Sequence, residues 1–192
     1  MNKILKPILF AFVLLISLQT KAQKQNFELE TTYMNCMYGI FEDEGVKLKE
    51  LIKNAEQKLI EAKLLKDTSG ESYIALFKNI KQAVDGRIPS FEISSHVITG
   101  MNNNKKVKEY MSCMNGMMQS EAFKDSKISA IVKLSSSGST NPEITTLANK
   151  LLTIFEAKDF EHDFYKYLTF SLIDKFNNYG KNSGAVTQEK KG

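Results

Sequence analysis

The sequence predicts an all-α protein, a helical bundle of about seven helices arranged as two duplicated three-helix units. Three observations carry this reading. Apolar residues recur every three to four positions along most of the chain, the period of a helix with one buried face. Only three prolines are present, and segments rich in β-formers are few. A seven-residue stretch in the first helix also returns 77 positions later.

The elements follow in order. Leu29, Tyr33, Met37 and Ile40 mark a helix over 26–41, and Gly45 follows an acidic turn. Leu48, Leu51, Ile52, Ala55, Leu59 and Ile60 share one face of an amphipathic helix from Val46 to Leu65. Thr68 and Glu71 stand at capping-box spacing before a third helix, whose apolar face is Tyr73, Leu76, Phe77, Ile80 and Val84 and which stops at Asp85-Gly86. The stretch from Arg87 to Lys106 is the least regular; Pro89 and Gly100 punctuate it, and Phe91-Glu92-Ile93 reads as a short strand or a helical turn. Helices are predicted at 105–119 and 126–134, followed by a serine-rich loop. Asn141-Pro142-Glu143 opens a sixth helix with the face Ile144, Leu147, Ala148, Leu151, Leu152 and Phe155. A seventh runs from a cap at Asp159 to Gly180 and is apolar nearly all round, which predicts a central, buried helix. Residues 181–192 read as a disordered tail.

The N-terminus has the layout of a secretory signal. Lys3 and Lys6 precede the apolar run from Ile8 to Ile16, and Thr20-Lys21-Ala22 supplies small residues before a cut. Residues 1–22 are therefore read as a cleavable signal peptide, placing residues 23–180, as one helical domain, in the periplasm or outside the cell. The run is about half the roughly 20 residues that span a bilayer, so stable membrane insertion after cleavage is not expected. The full chain has 26 Lys+Arg against 22 Asp+Glu. Lys3, Lys6 and Lys21 leave with the signal, so 23 against 22 remain, and the pI of about 8.9 is largely an export feature. The remaining charges alternate along helix faces, so nucleic acid is not an expected partner.

The repeated motif is Tyr33-Met34-Asn35-Cys36-Met37-Tyr38-Gly39 and Tyr110-Met111-Ser112-Cys113-Met114-Asn115-Gly116, identical at five of seven positions. At the same offset Glu44 meets Glu121, Lys47 meets Lys124 and Leu51 meets Ile128. The repeat halves span about 26–86 and 104–180. They place the only two cysteines at equivalent positions, and in an oxidising compartment that predicts a Cys36–Cys113 disulfide. Six of the seven methionines after the signal fall in or beside the motifs: Met34, Met37, Met111, Met114, Met117 and Met118. Thioethers are soft ligands suited to Cu(I), so a copper-binding protein is one alternative; filling an irregular helical core is the plainer role.

Other chemistry is sparse. Glu161-His162-Asp163 sits in a helix's first turn, where neighbouring side chains diverge and cannot share one metal. A cysteine–histidine nucleophile requires a free thiol, which a disulfide removes. No glycine-rich phosphate loop, Gly-x-Ser-x-Gly or His-Glu-x-x-His stretch is present, so no cofactor is expected and a hydrolase would need an unrecognised site.

The run Leu64-Leu65-Lys66-Asp67-Thr68-Ser69-Gly70-Glu71-Ser72-Tyr73, after an amphipathic helix in a signal-bearing chain with an early cysteine, resembles a group of small secreted bacterial helical proteins. That group has no assigned activity, so the resemblance implies export and a helical fold but no site residues. The expectation for function is a non-enzymatic protein-binding module of inhibitor, immunity or envelope accessory type, acting on an unknown protein partner. Its first candidate surface is the irregular stretch between the repeats, with Phe91, His96 and Asn103.

Overall fold

A computed structural model describes residues 27–85, 88–136 and 143–184. Over these residues the chain is helical throughout, without strands. The elements are α1 (Glu28–Tyr38), α2 (Val46–Glu61), α3 (Gly70–Lys78), a 3-10 turn η1 (Ile80–Ala83), α4 (Ile93–Gly100), α5 (Asn104–Gln119), α6 (Glu121–Lys124), α7 (Lys127–Ser136), α8 (Ile144–Leu151), a second 3-10 turn η2 (Ala157–Glu161) and α9 (Asp163–Gly184). That is nine α-helices among the described residues where about seven were expected. The signal-like segment, Asn141, Pro142 and the tail beyond Gly184 lie outside the described residues.

The added helices come from places where sequence periodicity is weak. The irregular stretch 88–104 contains α4 over Ile93–Gly100, a helix and not a strand, with non-helical residues on either side. The Asp174 side chain of α9, buried at 1% exposure, accepts from the Ser90 hydroxyl (2.9 Å), the Phe91 N–H (2.7 Å) and the Ser94 N–H (3.4 Å). A carboxylate 80 residues distant thus starts α4, and no local pattern announces it. Helix α6 is a single turn between α5 and α7.

Boundaries elsewhere follow local chemistry. Asp43 accepts from the Gly45 and Lys47 N–H groups at 3.0 and 2.8 Å, opening α2. Gly45 has φ +79°, and a Cβ there would lie 2.1 Å from the Tyr38 ring, so only glycine fits. α2 ends with Lys63 at φ 60°; the Leu64 N–H reaches back to the Leu59 carbonyl, closing a left-handed helix end. The expected Thr68/Glu71 box is not what caps α3: Ser69 is the cap and accepts from the Ser72 N–H. Asp159 instead lies inside η2, in a reciprocal box with the cap residue Glu156, and α9 begins at Asp163, three residues after the start that a cap at Asp159 predicts.

The core surrounds α9. Phe164, Tyr165, Tyr167, Phe170 and Ile173 are buried on it, and it packs against α1, α2, α4 and η2. Tyr73 stacks on Phe160 at 4.6 Å, Phe155 meets Phe77, Phe160 and Tyr165 edge-on, and Phe160 meets Tyr165 in the same way. The two 3-10 turns pack reciprocally, η1 on α8 and η2 on α3. η2 approaches so closely that a Cβ on Gly70 would stand 1.7 Å from the Ala157 carbonyl oxygen. Ion pairs join the layers: Lys127 reaches the fully buried Asp159 at 2.8 Å, and Lys166 reaches Glu56 at 2.7 Å, where the Tyr73 hydroxyl also donates.

Asp174→Ala leaves one hydroxyl and two backbone N–H groups without their acceptor, at a cost of about 3 kcal/mol. Urea denaturation should show that loss, with amide exchange rising first in α4; an unchanged midpoint would contradict the pinning role.

Candidate functional site

The repeated motif comes together in space. Cys36 on α1 and Cys113 on α5 form a disulfide with a Cα–Cα distance of 5.7 Å. One turn earlier in each helix, Tyr33 and Tyr110 lie close enough for each to act on the other's hydroxyl. The offset is 77 residues at both contacts, so the two helices run in the same direction where they touch. Burial differs sharply across the pair: Cys36 is 3% exposed, whereas Cys113 lies at the surface. Burial also raises the Tyr33 hydroxyl pKa well above its ordinary value, with help from Tyr167 and Tyr110.

The six methionines divide in the same way. Met34 and Met37 are 2% exposed, and Met114 and Met117 are buried beside them; Met111 is 50% and Met118 38% exposed. Four therefore pack the core and two face solvent, seven residues apart and about 10 Å along the helix axis. With both cysteines oxidised, no thiolate accompanies them.

α5 is the outlying helix. Of its 16 residues only Met114 and Met117 are buried, while α2, of equal length, buries five. Asn103 caps it, accepting from the Lys105 and Lys106 N–H groups at 3.1 and 3.2 Å. Lys105, Lys108, Met111 and Met118 stand on its outer surface.

Of the three residues expected on the inter-repeat surface, Asn103 is exposed and His96 half-buried, stacked on Phe41 at 4.3 Å. Phe91 is a correction. It is 2% exposed and edge-on to Phe170, because the Asp174 anchor turns this segment inward.

The Glu161-His162-Asp163 turn lines a cleft of about 280 Å³ with Thr31, Asn35, Tyr38 and Lys49. The Phe164 N–H donates to His162 Nδ1 at 3.1 Å, so that nitrogen carries no proton. In the neutral ring the proton is on Nε2, 3.1 Å from the Thr31 hydroxyl. His162 therefore donates to Thr31 and cannot act as its base, and the pair does not form a nucleophile. Burial lowers the His162 pKa, outweighing Glu30 and Asp163, which push it up. Glu30 is itself buried and accepts from the Tyr165 hydroxyl at 2.6 Å. Among the described residues no group of three or more His, Cys, Asp or Glu side chains converges as a metal site.

Sequence reasoning missed two features. One is the Glu56–Tyr73–Lys166 cluster, whose members lie on three different helices. The other is an apolar slot of about 100 Å³ between α7, α8 and α9, walled by Phe77, Ile131, Leu151 and Leu172 among others. Their members read correctly as apolar or charged helix positions, but convergence depends on packing. Comparison with protein-family models, curated proteins and solved structures finds no match.

Two outcomes follow. Reducing Cys36–Cys113 opens a closed loop of 77 residues and should cost about 4 kcal/mol on the chain-entropy account; an unchanged denaturation midpoint in reductant would refute this, and intact-mass analysis of native protein should find no free thiol. His162 has a lowered folded pKa, so the unfolded chain takes up its proton first as pH falls. The stability it contributes is full above its ordinary value of 6.5 and declines below it, down through the folded pKa. Urea midpoints at about pH 7 and about pH 5.5 should differ less for His162→Gln than for the native chain.

Proposed function

We propose that this chain is an exported, non-enzymatic protein-binding module whose recognition surface is the outer face of α5. One observation carries the reading: a 16-residue helix that buries only two residues is nonetheless covalently held to the body. A helix attached in this way is displayed more than packed. Its exposed methionines offer adaptable apolar contact, and Lys105 and Lys108 flank them.

Export is part of the proposal. It rests on the three-part N-terminal segment and on the disulfide, which persists in oxidising compartments. Among the described residues no helix is long and apolar enough to cross a membrane. An inhibitor, an immunity factor or an envelope accessory subunit would each use a rigid scaffold of this kind.

We also read the chain as a duplicated unit. The offset of 77 relates α1 to α5, η1 and η2 also start 77 residues apart at Ile80 and Ala157, and the reciprocal packing of η1 on α8 and η2 on α3 supports the reading. The copies have diverged in burial, one motif lying in the core and the other at the surface.

Copper binding is the weaker reading, because only Met111 and Met118 remain accessible. A hydrolase is weaker too, since the one histidine–hydroxyl pair in a cleft is oriented the wrong way for base catalysis.

Residues 23–192 should retain a partner from envelope or secreted fractions in a pull-down. Met111→Glu with Met118→Glu, both at exposed positions, should leave the thermal midpoint within a few degrees and weaken capture at least about tenfold. Equal capture by the double variant would sink the assignment to α5.

A further inference from the structure

A second surface lies on α2, α3 and η1. Where the end of α2 meets α3 and η1, a cleft of about 490 Å³ opens to solvent, within the usual range for small-molecule sites. Ile60, Leu64 and Leu76 give it apolar surface; Lys63 and Lys66 enter from the α2 side and Gln82 from η1. None of the described residues lining it carries a carboxylate. The adjacent acid, Asp67, is engaged by the N–H and hydroxyl of Ser69. Neither lysine forms an ion pair among the described residues, and both are exposed.

The backbone adds an independent observation. Lys63 has φ 60°, at the left-handed position that closes a helix and that glycine occupies without cost. A lysine here holds strained backbone, and the residue lines the cleft. Strain held beside a cleft is a reason to ask what the side chain meets there.

We propose that this cleft binds a small amphiphilic carboxylate. The apolar body lies on Ile60, Leu64 and Leu76, the carboxylate sits between the Lys63 and Lys66 ammonium groups, and the Gln82 amide supplies a further donor. The pairing follows from the wall chemistry: two lysines, of which Lys66 also acts on the neighbouring Asp67, an amide, and an apolar surface.

The strain makes the test separable from folding. Methyl NMR of residues 23–192 titrated with octanoate should give saturable shifts confined to Ile60, Leu64 and Leu76. Octanamide, the uncharged analogue, should bind roughly two- to fivefold more weakly, and so should octanoate to Lys66→Gln. Lys63→Gly should raise the thermal midpoint by relieving the turn while weakening octanoate by a similar factor. The double variant should lose roughly tenfold. Octanamide binding as tightly as octanoate, unchanged affinity in both single variants, or unsaturable shifts spread over the surface would each overturn the proposal. A lowered midpoint for Lys63→Gly would remove the strain argument and leave Lys66→Gln to decide. None of these outcomes bears on capture through α5, so the two readings can fail separately.

Discussion

The structure is organised by the need to bury α9. Phe164, Tyr165, Phe170 and Ile173 are each at or below 1% exposure, and no single neighbouring face could cover them all. α1, α2, α4 and η2 therefore gather around one helix. Burial of that kind is non-directional and would tolerate slippage along the axis. Polar residues set within it do not. Asp174 fixes the start of α4, Asn177 donates to the Ala83 carbonyl at 3.2 Å, and the Tyr165 hydroxyl fixes Glu30 of α1. Each group would be costly to leave unpaired, so these contacts set the register that apolar packing leaves open.

Around this centre the layers are joined at few points. Lys127 neutralises the buried Asp159 and ties α7 to η2, while Lys166 and Tyr73 converge on Glu56 and tie α2, α3 and α9. α5 stands apart. Its non-covalent contacts include the buried Met114 and Met117, Tyr110 packed on the core and the Asn103–Glu42 hydrogen bond, and the disulfide adds a covalent tie. An outer helix held by a covalent bond can spend its surface residues on recognition, because few of them are needed for packing.

Elements with their own periodicity were legible in the sequence. Leu48, Leu51, Ala55 and Leu59 announced α2, and the girdle of aromatics announced α9 as central. The motif offset announced the Cys36–Cys113 pair. What could not be read depended on distant partners. α4 is short, lies between Pro89 and Asn102–Asn104, and is begun by Asp174, 80 residues on. Phe91 looked like a loop aromatic because nothing local shows that its N–H is drawn inward. The Thr68/Glu71 spacing suggested a cap that Ser69 provides instead, a choice between adjacent hydroxyls that spacing alone does not make. Clefts were the least legible, since Lys63 and Gln82, or Thr31 and His162, meet only after folding.

The disulfide has a further bearing on a chain that meets proteases. It encloses residues 37–112, and within that span lies the exposed turn Asn102–Asn104. A cut there severs the backbone but releases nothing: the two pieces remain joined through sulfur, and α4 and α9 stay packed across the break. The bond that ties α5 to α1 thus also keeps the two pieces together after a cut at this exposed turn.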